Sequence, residues 1–174
     1  MKYDKKRGAA VIEEWPKRLP LGKLNWALFI ISGVALVVSL VRLMMVYGSL
    51  PDIIPTHFNA AGEVDGTGGK GSMIFIAVLD VVVWASVTLL QFFPRVINVP
   101  VFLLKRPAEE IIQGTRVMLN VMAILMVALF WYLQEKTIVI ALGAAVTLGS
   151  AFMWAFLAAI IAITAIYMFW LWRA

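Results

Sequence analysis

A single histidine, His57, stands in the run Leu50 to Gly71 with Asn59, Glu63, Asp65, Thr67 and Lys70, two prolines and five glycines. Histidine is the side chain whose unperturbed charge change falls near neutral pH. Held between Pro55 and Phe58, it has three uses: accepting a ligand's proton, binding a metal with Glu63 and Asp65, or hydrogen-bonding a backbone carbonyl. Zinc wants several nitrogen or sulfur ligands, and one histidine without any cysteine does not supply them. Asn59, Glu63, Asp65 and Thr67 are oxygen donors of the kind calcium accepts. Their spacing is not that of an EF-hand, and short polar glycine-rich loops are usually turns. GEVDGTGGKG departs from the G-x-x-x-x-G-K-[ST] phosphate loop. No metal and no cofactor is therefore expected. No nucleophile with a base and no spaced carboxylate pair stands in one apolar span, and Glu109 and Glu110 are adjacent, so they point to different faces of a helix. The expected class is non-enzymatic.

Arg42 and Asp80 fall inside apolar spans, where such groups are functional hypotheses by default. Arg42 lies five positions before Tyr47, about 7–8 Å below one end of its span, and Asp80 eight positions after Ser72, about 12 Å into the next. Adjacent antiparallel helices put them at similar depth, so the expectation is an Arg42–Asp80 charge pair beneath the polar run. Pairing would spare each an isolated burial of about +2.5–3.5 kcal/mol. It would serve either as a clamp on the hairpin of spans or as a proton- or ion-sensitive site. Asn120 and Gln134 read as interhelical hydrogen-bonding residues.

These residues are positioned by a chain that is mostly membrane. The 174 residues are 63% hydrophobic and 14% charged, with a mean hydropathy of +0.92, far from the soluble balance of about 45–50% and 25%. The net charge of +5 sits beside apolar spans, where it meets anionic lipid headgroups, and no nucleic-acid partner is expected. The expected fold is an all-α integral membrane protein: a four-transmembrane-helix bundle with an ordered extracytoplasmic loop between helices 1 and 2. Residues 1–23 form a basic tail, with a short surface helix over Ala9 to Trp15 or no structure, and residues 24–174 one membrane domain. Spans are expected at about 24–47, 72–93, 115–133 and 150–172, with an outer loop at 48–71, an inner loop at 94–114 and an outer segment at 134–149. Seven Lys/Arg precede the first span, one lies in the first loop (Lys70), three in the second and one in the third (Lys136). That alternation puts both termini in the cytoplasm and the His57 loop outside.

The run L-P-x-x-I-P-T-H-F-N-x-x-G-E-V-D-G, followed by Lys70, resembles the N-terminal domain of the bacterial SdpI-type immunity proteins, a domain that also occurs alone. The match continues through NVPVFLLKRPAEEIIQGTR. The resemblance implies a four-span bundle in the bacterial cytoplasmic membrane. It marks Pro51, Pro55, His57, Phe58, Asn59, Gly62, Asp65 and Lys70 as matching positions. In that family the longer chain protects against a secreted toxic peptide and signals to a repressor; the second domain that goes with signalling is not visible here. Three functions follow as expectations. The first is recognition of a peptide, lipid or protein partner through Pro55, His57, Phe58, Asn59, Glu63, Asp65 and Lys70. The second is an accessory role in a larger membrane complex, and the third an ion or solute conductor using Arg42 and Asp80.

Overall fold

The structure, a computed structural model, describes Pro16 and residues 18–97 and 106–173. The surface helix expected over Ala9 to Trp15 lies outside these residues. Four helices account for most of the chain: α1 (Lys23–Tyr47), α2 (Gly71–Leu89), α3 (Ala108–Ala141) and α4 (Ala151–Trp172). All four, α2 with the turn that extends it to Phe92, are long and apolar enough to cross a membrane. The protein is a multi-pass membrane protein. Between α1 and α2 lies an antiparallel hairpin, β1 (Ile53–Phe58) and β2 (Val64–Gly69).

α3 is the central helix, packing against α1, α2, α4 and β1. The inward stripe of α1 is Asn25, Ser32, Leu36, Ser39 and Leu43, spaced by seven, four, three and four residues. Its outward face carries Ile30, Val34, Val37 and Val41. Polar residues face the bundle because lipid is as apolar as leucine, so helices associate through hydrogen bonds and close packing. Trp84 Nε1 donates to Ser32 Oγ at 2.9 Å, joining α2 to α1. Gln134 Nε2 donates to Ser39 Oγ at 3.3 Å and Asn120 Nδ2 to Gln91 Oε1 at 2.9 Å. Asn120 and Gln134 thus bridge helices as their types indicate. Each such bond contributes about 0.6 kcal/mol.

α3 exceeds its expected span of 115–133 at both ends. Its 34 residues are about 51 Å long, against a hydrocarbon thickness of ~30 Å. Gln134, Glu135 and Lys136 end the apolar run without ending the helix, because the backbone ladder is satisfied inside the helix whatever solvent surrounds it. Thr137 to Ala141 therefore belong to α3, and the expected outer segment shrinks to a turn over residues 142–150. At the other end, Glu109 and Glu110 occupy the first turn after Pro107, as the helix dipole favours.

α4 lies along α3. Gly114 admits it: a Cβ there would come within 2.6 Å of the Trp170 ring. The Arg106 guanidinium covers the same ring at 4.5 Å, and Thr115 and Tyr167 share a hydrogen bond between their hydroxyls. At the far end Tyr132 stacks on Phe152 and its hydroxyl donates to the Leu148 carbonyl at 2.6 Å.

Candidate functional site

The polar run that sequence alone renders as a loop is a folded hairpin seated on the bundle. Leu50 and Ile54 are buried with Leu43 of α1, Met73 and Ala77 of α2 and Ile138 of α3. Lys70 ties its base: Nζ lies 3.0 Å from Asp52 Oδ1, donates to the Leu50 carbonyl at 3.4 Å and sits over the Tyr47 ring. The glycines of β2 have a packing reason. A Cβ at Gly66 would meet the His57 Cβ at 2.9 Å, and one at Gly68 the Thr56 methyl at 3.0 Å. Glycine in a strand marks such close approach of backbone.

Asn59 builds the tip. Its Oδ1 accepts from the amides of Ala61 and Glu63, its Nδ2 donates to Glu63 Oε2 at 2.9 Å, and its carbonyl accepts from Gly62 N. An asparagine side chain that mimics backbone in this way fixes a turn. The tip then docks on the α3–α4 connection. Leu148 N donates to the Gly62 carbonyl at 2.7 Å, and Glu63 bridges Thr147 in antiparallel fashion. Thr147 and Leu148 of this connection thus lie beside the hairpin tip. Gly62 and Gly149 both hold φ +81°, and a Cβ on Gly62 would stand 2.8 Å from Gly149 N.

Between β1, this connection and the first turns of α4 opens a groove of about 630 Å³, within the 300–1,000 Å³ of ligand pockets. Thr56, His57, Phe58 and Asn59 form one wall, Leu148 and Gly149 the floor, and Met153, Trp154 and Leu157 the other wall. The lining is overwhelmingly apolar, with polar groups at the hairpin rim. His57 Nδ1 pairs with Asp65 Oδ1 across the strands at 2.5 Å. A ring nitrogen engaged by a carboxylate orients the imidazole and leaves Nε2 for a ligand. Ser150 and Thr56 line the same groove, and neither hydrogen-bonds His57 among the described residues. The arrangement can hold an apolar body and hydrogen-bond a polar end.

Of the seven hairpin residues singled out by sequence, His57, Phe58 and Asn59 line the groove, Asp65 orients His57, and Glu63 is held by Asn59. Pro55 pairs with Thr67 in the ladder and Lys70 braces the base; neither reaches the groove. His57 uses a carboxylate rather than the backbone carbonyl of the simplest expectation. Trp154 and Leu157 were hidden in an unbroken apolar span.

The expected Arg42–Asp80 pair does not form. Arg42 Nε lies 3.0 Å from Glu135 Oε1 on the outside of the bundle, while Asp80 is fully buried. Helical phase explains it. Asp80 follows Met73 and Ala77 on the inward face of α2. Arg42 precedes the inward Leu43 by one residue, a turn of about 100° away from the interior. A double-mutant cycle of Arg42→Gln and Glu135→Gln should give a coupling of about 0.2–1 kcal/mol in thermal unfolding. The Arg42→Gln, Asp80→Asn pair should be additive.

One residue that the sequence reading passes over is Arg116, 1% exposed at the opposite end. Its guanidinium donates to the carbonyls of Gln91 (2.8 Å), Pro20 (3.0 Å) and Leu19 (2.9 Å). Gln113 joins it, donating to Pro20 O at 2.9 Å and accepting from Asn25 Nδ2 at 2.7 Å. Arg116 falls at the start of the span expected over 115–133, where the sequence shows no partner for it.

Residues 34–79 match the model of a family described as a domain of unknown function, DUF1648. That stretch runs from the second half of α1 through the whole hairpin into α2 and ends one residue before Asp80. An uncharacterized protein of Archaeoglobus fulgidus is 28% identical over 91 residues, 48% of this chain and 50% of the relative. The chain thus spans about half the length of that relative. No solved structure matches it.

Proposed function

We propose that this is a non-catalytic membrane protein whose hairpin groove recognises a partner with an apolar body and a polar end, a hydrophobic peptide segment before all others. The observation that carries it is the apolar groove of about 630 Å³ rimmed by the His57–Asp65 pair and Asn59. The likeness to SdpI-type immunity proteins, which act against a secreted peptide, agrees with an immunity or sensor role. The Lys/Arg asymmetry supports a groove on the outer face of the cytoplasmic membrane, with both termini inside. The groove opens beside Trp154 and Leu157, at the lipid-facing flank of α4. A membrane-partitioned peptide would reach it from there, and a lipid chain is the competing occupant. The accessory-subunit reading has no separate support, since the exposed apolar faces of α4 are what lipid contact requires.

A photo-crosslinking residue at Leu157 in native membranes should capture a peptide, and one at Val37, on the outer face of α1, should not. The double variant Phe58→Ala, Trp154→Ala should lose the adduct by tenfold or more when crosslinked from Met153. An adduct with lipid alone, or a peptide adduct undiminished in the double variant, would overturn peptide recognition by the groove.

A further inference from the structure

Beneath the hairpin, Leu43 of α1, Ala77 of α2 and Ile138 of α3 meet in one buried apolar cluster. One turn further into the bundle, at spacings of four, three and four residues, stand Ser39, Asp80 and Gln134. Residues three or four apart share a helix face, so the three faces that touch in the cluster bring these three polar side chains into the layer below it. Ser39 and Gln134 are 2% exposed and Asp80 0%. Gln134 Nε2 already donates to Ser39 Oγ. What remains is acceptors: Gln134 Oε1 and both carboxyl oxygens of Asp80 have no hydrogen-bond partner among the described residues.

Among the described residues no cation serves this layer. Arg42 and Glu135, the charged groups of α1 and α3 nearest in depth, pair with each other outside the bundle. On α3, Tyr132 is turned to α4 and Lys136 lies over its ring, and Arg116 is held by carbonyls at the far end. Lys70 is engaged with Asp52 at the hairpin base. A buried carboxylate among acceptors is satisfied by a hydrogen, which removes the charge and creates the missing donor together. We propose that Asp80 is an intramembrane proton-binding site: it carries a proton at neutral pH, and its acid O–H donates to Gln134 Oε1 beneath the Leu43–Ala77–Ile138 cluster. A proton needs no cavity, unlike a metal ion with its coordination shell. The bound proton is independent of the groove and its occupant.

Infrared spectroscopy of the protein in lipid nanodiscs tests this. Protein carrying isotope-labelled aspartate, of which there are four, should show a label-shifted protonated-carboxyl band at neutral pH. The band should vanish in Asp80→Asn, whose amide N–H replaces the acid O–H and keeps the fold, and should move to the frequency of a free acid in Gln134→Leu. Absence of any label-sensitive protonated band in the wild type would overturn the proposal without recourse to a variant. So would a melting temperature that rises with Na⁺ at constant ionic strength in the wild type and not in Asp80→Asn, because the site would then hold a metal cation.

Discussion

Replacing Arg116 by alanine is expected to destabilise the bundle by on the order of 3 kcal/mol or more, seen as a lowered melting temperature in nanodiscs and as proteolysis before α1. The guanidinium is buried, and each of its three nitrogens donates one hydrogen bond, to the carbonyls of Gln91, Pro20 and Leu19. Hydrogen bonds from a charged group contribute about 1.5–3 kcal/mol, and each acceptor left buried and unserved adds a penalty. The loss concentrates where the segment leading into α1 crosses α3. Gln113, bonded to Pro20, Gly22 and Asn25, and the packing of Leu19 on the Ile111–Ile112 cluster would remain to hold it. Arg116→Lys should recover only part of the stability, because an ammonium point charge cannot span three carbonyls that a planar fork reaches together. A wild-type melting temperature for Arg116→Ala would show that the contacts follow the fold and do not hold it.

The second large effect is expected at Gly62. Valine there should cost roughly 2–5 kcal/mol: about 1–2 for a left-handed φ at a branched residue, and about 1–3 for the overpacking. The neighbour is backbone, Gly149 N at 2.8 Å from the added Cβ, and cannot rotate aside. Relief would come by parting the hairpin tip from the α3–α4 connection, breaking the bond from Leu148 N to the Gly62 carbonyl. Because that contact forms the floor of the groove, partner capture at Leu157 should fall with stability. Hydrogen exchange should localise the loss to the hairpin tip and residues 147–149, with α1 and α2 protected as before. Opening spread evenly over all four helices would contradict this coupling.

The two positions differ in how well the chain itself announces them. Gly62 follows Asn59 in a polar run, and asparagine with glycine three residues on is a turn signal that needs no tertiary information. Its partner Gly149 lies 87 positions away, and no local rule joins them. Arg116 stood one position inside the span expected from residue 115, but nothing in its local sequence says that its guanidinium meets the carbonyls of Leu19, Pro20 and Gln91. The strands stayed hidden because glycines at 66, 68 and 69 argue against a strand unless a partner presses close. His57 and Thr56 do press close.

Hydropathy and length by themselves determined the four crossing helices, because hydrocarbon admits only backbone that satisfies its own hydrogen bonds. The polar interruption between the first two was equally plain, and its His57, Phe58 and Asn59 did become a wall of the groove. Tertiary structure alone decided which charges meet. Arg42 and Asp80 stand at one depth, but depth is a coordinate along the axis, and pairing depends also on the angle around it. That angle follows from which face of each helix packs inward, so Arg42 turned out to Glu135 and Asp80 turned in toward the layer of Ser39 and Gln134. The groove is likewise a product of packing, assembled from residues 56–59, 148–149 and 153–157, which no spacing in the chain connects.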